Sequence, residues 1–312
     1  MKNLSLLIFI VLLWTGHATA QWRNTNFTTS DYWKGQRKEF FFGIGATNFL
    51  GDLGGLNRIG TDYSFMDLEW STTRVSGHLG YRYRLRPWIL TKTILQYGVF
   101  RGADNLTTEP FRRNRNLDFK CHLVELAQHL ELVIFNNEHY GKRHSISGLK
   151  GMKNKNTLVY LFSGITGFMY IPKALDGTNL RPLHTEGQGL ANGPKPYGLF
   201  NWGIPFGMGT KIGLDQVWRI SFELTYTKTF TDYIDDVSTV YYDPVALGNA
   251  YGSNAVAYAD KSDGAFAGWT YPGERRGDDK QKDAYFWFNV SLIKNLQQKG
   301  SNKLKWKYRA RF

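Results

Sequence analysis

The sequence predicts an all-β chain: an eight-stranded antiparallel transmembrane β-barrel with long outer loops and a basic periplasmic C-terminal tail. Three observations predict it. The chain opens on an export signal, no later apolar run is long enough for a spanning helix, and the aromatic, glycine-rich body alternates apolar with polar residues. Strands of that kind cross a bilayer only by closing into a barrel, because every backbone N–H and C=O must find a partner away from water.

The export signal occupies residues 1–20. Lys2 supplies the positive charge, residues 4–14 (LSLLIFIVLLW) the apolar run, and Ala18-Thr19-Ala20 a small-residue cleavage site, so the mature chain is expected to begin at Gln21. An uncleaved anchor is the alternative, but the run falls short of the ~20 residues a spanning helix needs. Gln rather than Cys follows the site, which excludes a lipoprotein signal. Loss of Lys2 takes the formal net charge from +13 to +12. That balance suits anionic surroundings, such as phosphorylated glycolipid headgroups or an acidic partner, and says little about fold. Nucleic acid is not an expected partner of an exported chain. The single cysteine, Cys121, cannot form an internal disulfide and is either an inert buried thiol or half of an intermolecular one. A secreted sandwich is the competing fold for this composition.

The strands follow in order. Residues 39–50 (EFFFGIGATNFL) form the first. In 72–84, Val75, Leu79, Tyr81 and Tyr83 oppose Arg74, Ser76, His78, Arg82 and Arg84. Residues 89–101 form the third strand. In 119–135, Val124, Leu126, Leu130, Leu132 and Ile134 oppose Glu125, His129 and Glu131; this segment also reads as a helix, but its place between strands argues for a strand. After 157–170 comes 201–213, with Trp202, Ile204, Phe206, Met208 and Ile212 against Asn201, Gly203, Gly207, Gly209 and Lys211. The clearest pattern is 218–230, where Trp218, Ile220, Phe222, Leu224 and Tyr226 alternate with Arg219, Ser221, Glu223, Thr225 and Thr227. Residues 284–294 (AYFWFNVSLIK) complete an even count, as a closed antiparallel barrel needs.

The connections agree. Short turns at 85–88 and 214–217 alternate with long loops at 51–71, 102–118, 171–200 and 231–283, the pattern of periplasmic turns and outer loops. The domain reading is therefore a signal peptide at 1–20, an N-terminal periplasmic segment at 21–38, an outer-membrane barrel at 39–294 and a basic periplasmic tail at 295–312. The link 136–156 is periplasmic by parity yet long and basic. The tail alternates Leu304, Trp306, Tyr308, Ala310 and Phe312 with cations and contains no acid. It reads as a short periplasmic strand or extended arm; a ninth strand or an assembly signal ending in Phe is the alternative.

An eight-stranded barrel has room inside only for side chains or one small ligand. The inward parity holds Arg74, Arg82, Lys92, Lys211 and Arg219 with Glu125, Glu131 and Glu223, which predicts a plug of ion pairs rather than an open pore. No catalytic, cofactor or metal pattern stands out, so an enzyme is not expected. His122 and His129 fall on opposite parities, and His139 and His144 sit in the basic link. Asp232, Asp235, Asp236 and Asp243 lack the spacing of a compact calcium loop. Gly43, Gly45 and Gly54-Gly55 precede no helix and do not form a phosphate cradle; His184 and the outer-loop aspartates show no spacing that identifies a base or nucleophile.

Four strings in one order carry a resemblance: GATNFLGDLGG (45–55), RNRNLDF (113–119), YIDDVSTVYYDP (233–244) continuing through ADKS (259–262), and AYFWFNVSL (284–292). Across about residues 39–293 the chain resembles the PorG-type outer-membrane proteins of the type IX secretion system. The resemblance implies a small barrel that ties the periplasmic ring, built from a lipoprotein and a partner protein, to the outer membrane, in an apparatus on which gliding motility can also depend. Transfer of function on a shared fold is analogy. The expected localisation is the bacterial outer membrane with both termini periplasmic. The expected partner contacts are Lys142, Arg143, Lys153 and Lys155 of the link, with Lys303, Lys305, Trp306, Lys307, Tyr308, Arg309, Arg311 and Phe312 of the tail. Aromatic residues there supply desolvated anchors and the cations steer. The alternative function is a stand-alone structural barrel that binds surface glycolipid through the basic outer strings 111–116 (FRRNRN) and 274–276 (ERR).

Overall fold

In the computed structural model the described residues are 37–53, 70–107, 109–136, 157–214, 217–262, 264 and 266–296. They contain eight antiparallel strands, each paired with its neighbour in sequence, and the first pairs with the last to close the barrel. The strands are β1 (Lys38–Leu50), β2 (Arg74–Arg86), β3 (Ile89–Ala103), β4 (Asp118–Asn136), β5 (Thr157–Lys173), β6 (Phe200–Gly213), β7 (Trp218–Thr229) and β8 (Ala284–Leu296). The segment 119–135, ambiguous in sequence, lies within β4. Closure runs without a break from Lys38 opposite Leu296 to Leu50 opposite Ala284.

Period-two alternation fixes which side chains face in. Glu39, Lys92 and Lys211 are 2 %, 0 % and 0 % exposed, whereas Ile44, Val75 and Ile165 are 69 %, 76 % and 64 % exposed. Polar residues are thus packed inside and large apolar ones are presented outside, the reverse of a water-soluble barrel and the arrangement a hydrocarbon surrounding favours. Among the described residues no helix is long and apolar enough to cross a membrane.

Inward glycines set how much the lumen can hold. A Cβ on Gly98 would lie 2.6 Å from the Trp287 ring, and one on Gly209 would lie 2.5 Å from Tyr160. Each glycine therefore leaves the space that a large inward side chain fills. The β5–β6 ladder has a gap: the strands pair up to Ser163–Phe206 and resume at Thr166–Gly203. Pro205, which has no N–H to donate, lies in the gap. Its carbonyl accepts the Ser163 hydroxyl at 3.1 Å instead.

At the end where β1 begins and β8 finishes, β2 and β3 are joined by a turn at Pro87 and Trp88. At the opposite end lie the long connections, of which parts are described. They carry helices α1 (Pro110–Arg115), α2 (Pro244–Tyr251) and α3 (Ser253–Ala259). Glu109 caps α1 by accepting from the Arg112 N–H, and Asp243 caps α2 by accepting from Val245 and Ala246. Sequence reading takes these stretches as loops because such short helices have little amphipathic signal.

Candidate functional site

The lumen is filled in three layers. In the layer nearest the start of β1, Glu39 accepts from Lys211 Nζ at 2.8 and 3.0 Å and from Arg219 Nη1 at 3.2 Å. Arg82 of β2 occupies the centre of the same layer. Its Nε contacts Glu131 at 2.8 Å, its Nη2 contacts Glu223 at 2.6 Å and its Nη1 reaches Glu39 at 3.4 Å. Lys92 contacts Glu223 at 2.7 Å and lies 4.5 Å above the Phe162 ring. The Tyr160 hydroxyl also donates to Glu223, and Arg82 lies 5.3 and 5.2 Å from the Phe41 and Tyr160 ring centres. Seven of the eight strands contribute to this network, so its charges are paired and bonded from several sides, the condition under which buried ions are tolerated.

Above it the lumen is polar but not ion-paired. His78 bonds Ser291 at 2.8 Å, and Asn289 donates to Gln96 at 3.2 Å. His129 stacks on Phe162 with ring centres 4.9 Å apart. Glu125 accepts from Tyr285 at 2.9 Å and from the Trp287 indole at 2.8 Å.

The plug expected from sequence is present, with three differences. Glu125 belongs to an aromatic hydrogen-bond group rather than to an ion pair. Arg74 sits at the loop end and donates to its own loop carbonyls, Ser71 at 3.0 Å and Thr73 at 2.6 Å. Glu39, at the start of β1, is the carboxylate that joins Lys211, Arg219 and Arg82. Strand parity could have found it, because Glu39 shares the parity of Phe41 and Gly43, but the run of three phenylalanines hides the alternation.

The third layer is apolar and closes the loop end. Phe49, Phe100, Phe119, Phe168, Tyr170, Tyr285 and Trp287 form one buried cluster with Ile234 and Val237, which come from the long loop after β7. Residues 231–239 therefore dip into the mouth of the barrel. Cys121 is buried in the same cluster, so its thiol is the inert buried one and has no route to another chain.

Buried charge holds the dipped segment. Arg115 of α1 binds Asp104 through Nε at 2.7 Å and Nη2 at 2.9 Å, and donates to the Asp52 carbonyl at 2.8 Å. Arg276 contacts Glu186 at 3.0 Å and donates to the carbonyls of Asp236 at 2.7 Å and Ala259 at 3.2 Å. Glu186 in turn accepts from the Ser238 N–H at 2.8 Å and the Thr239 hydroxyl at 2.7 Å. Asp236, at the left-handed φ of 65°, accepts from Thr185 at 2.7 Å and Tyr197 at 2.5 Å. Burial pushes its carboxyl up to about 6, with Arg276 opposing.

These contacts decide several sequence expectations. Arg115 and Arg276, from the two basic outer strings, face into the cap, while Arg113 remains exposed and Arg275 pairs with Asp278. The four loop aspartates do not converge: Asp243 caps a helix, and Asp232, Asp235 and Asp236 bond different loop groups. Among the described residues no group of three or more His, Cys, Asp or Glu is placed to hold a metal ion. His122 faces outward and bonds Tyr97 at 2.8 Å, apart from His129 inside. His184 stacks on Tyr251 at 4.4 Å. All the expected partner contacts, in the link at 142–155 and the tail at 303–312, lie outside the described residues, as do His139 and His144.

No protein-family model and no curated protein matches the chain. Solved structures do. Ail, the attachment invasion locus protein of Yersinia pestis, in complex with the heparin analogue sucrose octasulfate, is 7 % identical at a TM-score of 0.35, covering 83 % of this chain and 97 % of that one. Ail without that ligand gives 8 %, 0.34, 83 % and 97 %. The N-terminal β-barrel domain of Pseudomonas aeruginosa OprF is 8 % identical at a TM-score of 0.33, covering 84 % of this chain and 98 % of that domain. Likeness at these identities concerns the fold alone.

Proposed function

We propose that this chain is an outer-membrane barrel that acts as a fixed anchor rather than a conduit, namely the PorG-type component that ties the periplasmic ring of the type IX secretion system to the outer membrane and supports gliding where that apparatus drives it. The observation that carries the anchor reading is the filled lumen. Ion pairs drawn from six strands lie in series with an aromatic plug, so passage of a solute through the barrel cannot be its task. The outward apolar belt supports the membrane location, and the four ordered strings support the family. Work that is not done through the lumen falls to the barrel's ends. At the periplasmic end the basic link and the tail supply the contacts, with Trp306, Tyr308 and Phe312 as anchors and the ring lipoprotein and its partner as acidic counterparts.

The glycolipid alternative draws less support, since Arg115 and Arg276 of its two basic strings are bonded inside the cap. Affinity purification after mild solubilisation, with and without residues 300–312, tests the anchor. Ring components are expected with the full chain and not with the truncated one at equal barrel abundance. Equal recovery with both would refute the tail contact, and a fall in abundance together with recovery would make the tail an assembly signal.

A further inference from the structure

Three cations stand side by side on the outward face of the barrel at its loop end. Arg101 of β3 is opposite Lys120 of β4, and Lys120 is in turn opposite Lys173 of β5. Each has the parity of the outward residues on its strand, Tyr97, Val124 and Ile171, and each is partly buried. Adjacent strands lie about 4.8 Å apart, so the row is about 10 Å wide, and long side chains from it can converge on one group. Like charges directly opposite one another on a sheet are destabilising, and here the central lysine faces a cation on both sides.

Among the described residues no carboxylate offsets this row. None of the three side chains makes an ion pair there, and the Arg101 Nε is buried without a hydrogen-bond partner. Asp118 shares the face, two residues before Lys120, but it accepts from the Leu175 N–H at 2.8 Å and from Lys261 Nζ at 2.8 Å, so its charge is already met. Asp176 is engaged by the Thr178 N–H at 2.9 Å and by the Tyr258 hydroxyl, and Asp104, just past β3, is held by Arg115. Below the row the wall turns apolar, with Val124, Met169 and Ile171 exposed on it. The bonded Tyr97–His122 pair stands at the border, where amphipathic rings mark the passage from hydrocarbon to headgroups.

We propose that Arg101, Lys120 and Lys173 form a wall site for the phosphate of a phosphorylated, acylated glycolipid of the surrounding membrane, whose acyl chains lie down the belt over Val124, Met169 and Ile171. The site rests on the belt lying in lipid. A phosphate monoester carries nearly two negative charges at neutral pH and offers three acceptor oxygens, one for each side chain of the row. A phosphodiester headgroup carries a single charge and would leave two of the cations unmet. Arg101 supplies a planar fork that grips two phosphate oxygens, and the lysines act as point charges beside it. The row lies on the barrel wall, apart from the basic strings 111–116 and 274–276 and at the end away from the link and the tail. Lipid held there fixes the depth of the barrel in its membrane, whatever binds the other end.

Native mass spectrometry of the full chain in detergent micelles tests this, with bisphosphorylated lipid A, its dephosphorylated form and phosphatidylglycerol as probes. The chain is expected to bind the bisphosphorylated form at least about tenfold more tightly than either of the others, since each cation near a phosphate-bearing surface is worth about a fivefold gain. Arg101→Gln/Lys120→Gln/Lys173→Gln is expected to lose that preference, and Arg113→Gln/Arg275→Gln, which removes loop cations, to keep it. No preference in the unmodified chain overturns the site, and so does a preference that survives the triple variant or disappears in the loop variant. Phosphatidylglycerol bound as tightly as bisphosphorylated lipid A overturns the monoester assignment, and displacement of the lipid by equimolar inorganic phosphate overturns the part given to the acyl chains. If the triple variant does not form the heat-modifiable barrel, Lys120→Gln alone is expected to show a smaller preference, and an unchanged one overturns the proposal. The readout needs no ring component, so it stands or falls apart from the anchor reading.

Discussion

Glu39 and Lys211 are 172 residues apart in sequence and 2.8 Å apart in the lumen. Because Arg219 and Arg82 reach the same carboxylate, one side chain on the first strand ties it to β2, β6 and β7, on both sides of the seam where β1 meets β8. Its loss leaves buried cations facing one another. Glu39→Gln is expected to cost about 3–5 kcal/mol, the usual effect of breaking a buried pair from one side. Glu39→Leu combined with Lys211→Met is expected to recover part of that loss, because it removes both charges. Denaturant unfolding followed by loss of heat-modifiable migration measures both. A single variant as stable as the unmodified chain would show that the pair does not support closure.

The two faces of β7 give the second test. Phe222 points outward, and Thr225 points into a lumen where Trp287 lies opposite it on β8. Phe222→Arg is expected to cost about 2–4 kcal/mol as a cation on the lipid face. Parity alone suggests that Arg at Thr225 should be better tolerated, but the filled lumen reverses that expectation, since there is no space for a long side chain beside Trp287. The fair inward control is Thr225→Val, which keeps the volume and should fold at normal abundance. Equal loss in Phe222→Arg and Thr225→Val would contradict the assigned faces.

The barrel was legible in the sequence because its strands alternate strictly, and a residue's parity alone decides whether it meets lipid or lumen. The same rule identified Arg82, Lys92, Lys211, Arg219, Glu131 and Glu223 before any contact was known. It misplaced Arg74, because parity does not say how far along the barrel a residue lies. It missed what Glu125 does, because Tyr285 and Trp287 arrive from a strand 160 residues later. The cap was not legible at all. Arg115 and Arg276 read as a basic surface, since only the folded loops reveal that Asp104 and Glu186 meet them. Ile234 and Val237 are two apolar residues in a polar loop, with no period to mark them as part of a core.

Arg276 makes the third prediction. Its guanidinium joins Glu186 to the carbonyls of Asp236 and Ala259, binding three parts of the cap at once. Arg276→Met is expected to leave the barrel intact while the loop 231–283 becomes sensitive to protease added to the detergent-solubilised chain. Arg276→Lys should not restore resistance, because a single ammonium cannot replace the planar fork. Resistance unchanged in both variants would show that the cap is held by its apolar contacts alone.

The last prediction concerns conductance. Two obstacles lie in series along the lumen. The first is the network centred on Arg82, with Glu131, Glu223, Lys92 and Glu39 around it. The second is the aromatic layer, where Trp287 and Phe100 meet edge to face at 5.2 Å and Phe168 meets Tyr285 at 5.8 Å. An ion would have to displace paired charges in the first and shed its water in the second, and each step is costly in a low-dielectric space. The unmodified chain in a planar bilayer is therefore expected to pass no resolvable single-channel current. Arg82→Ala alone should also stay silent, because the aromatic layer remains, and Trp287→Ala alone should stay silent because the network remains. Only the combined variant is expected to conduct, in so far as it still folds. Steady channels from the unmodified chain would sink the sealed-lumen reading, and with it the argument that this barrel works at its ends rather than through its middle.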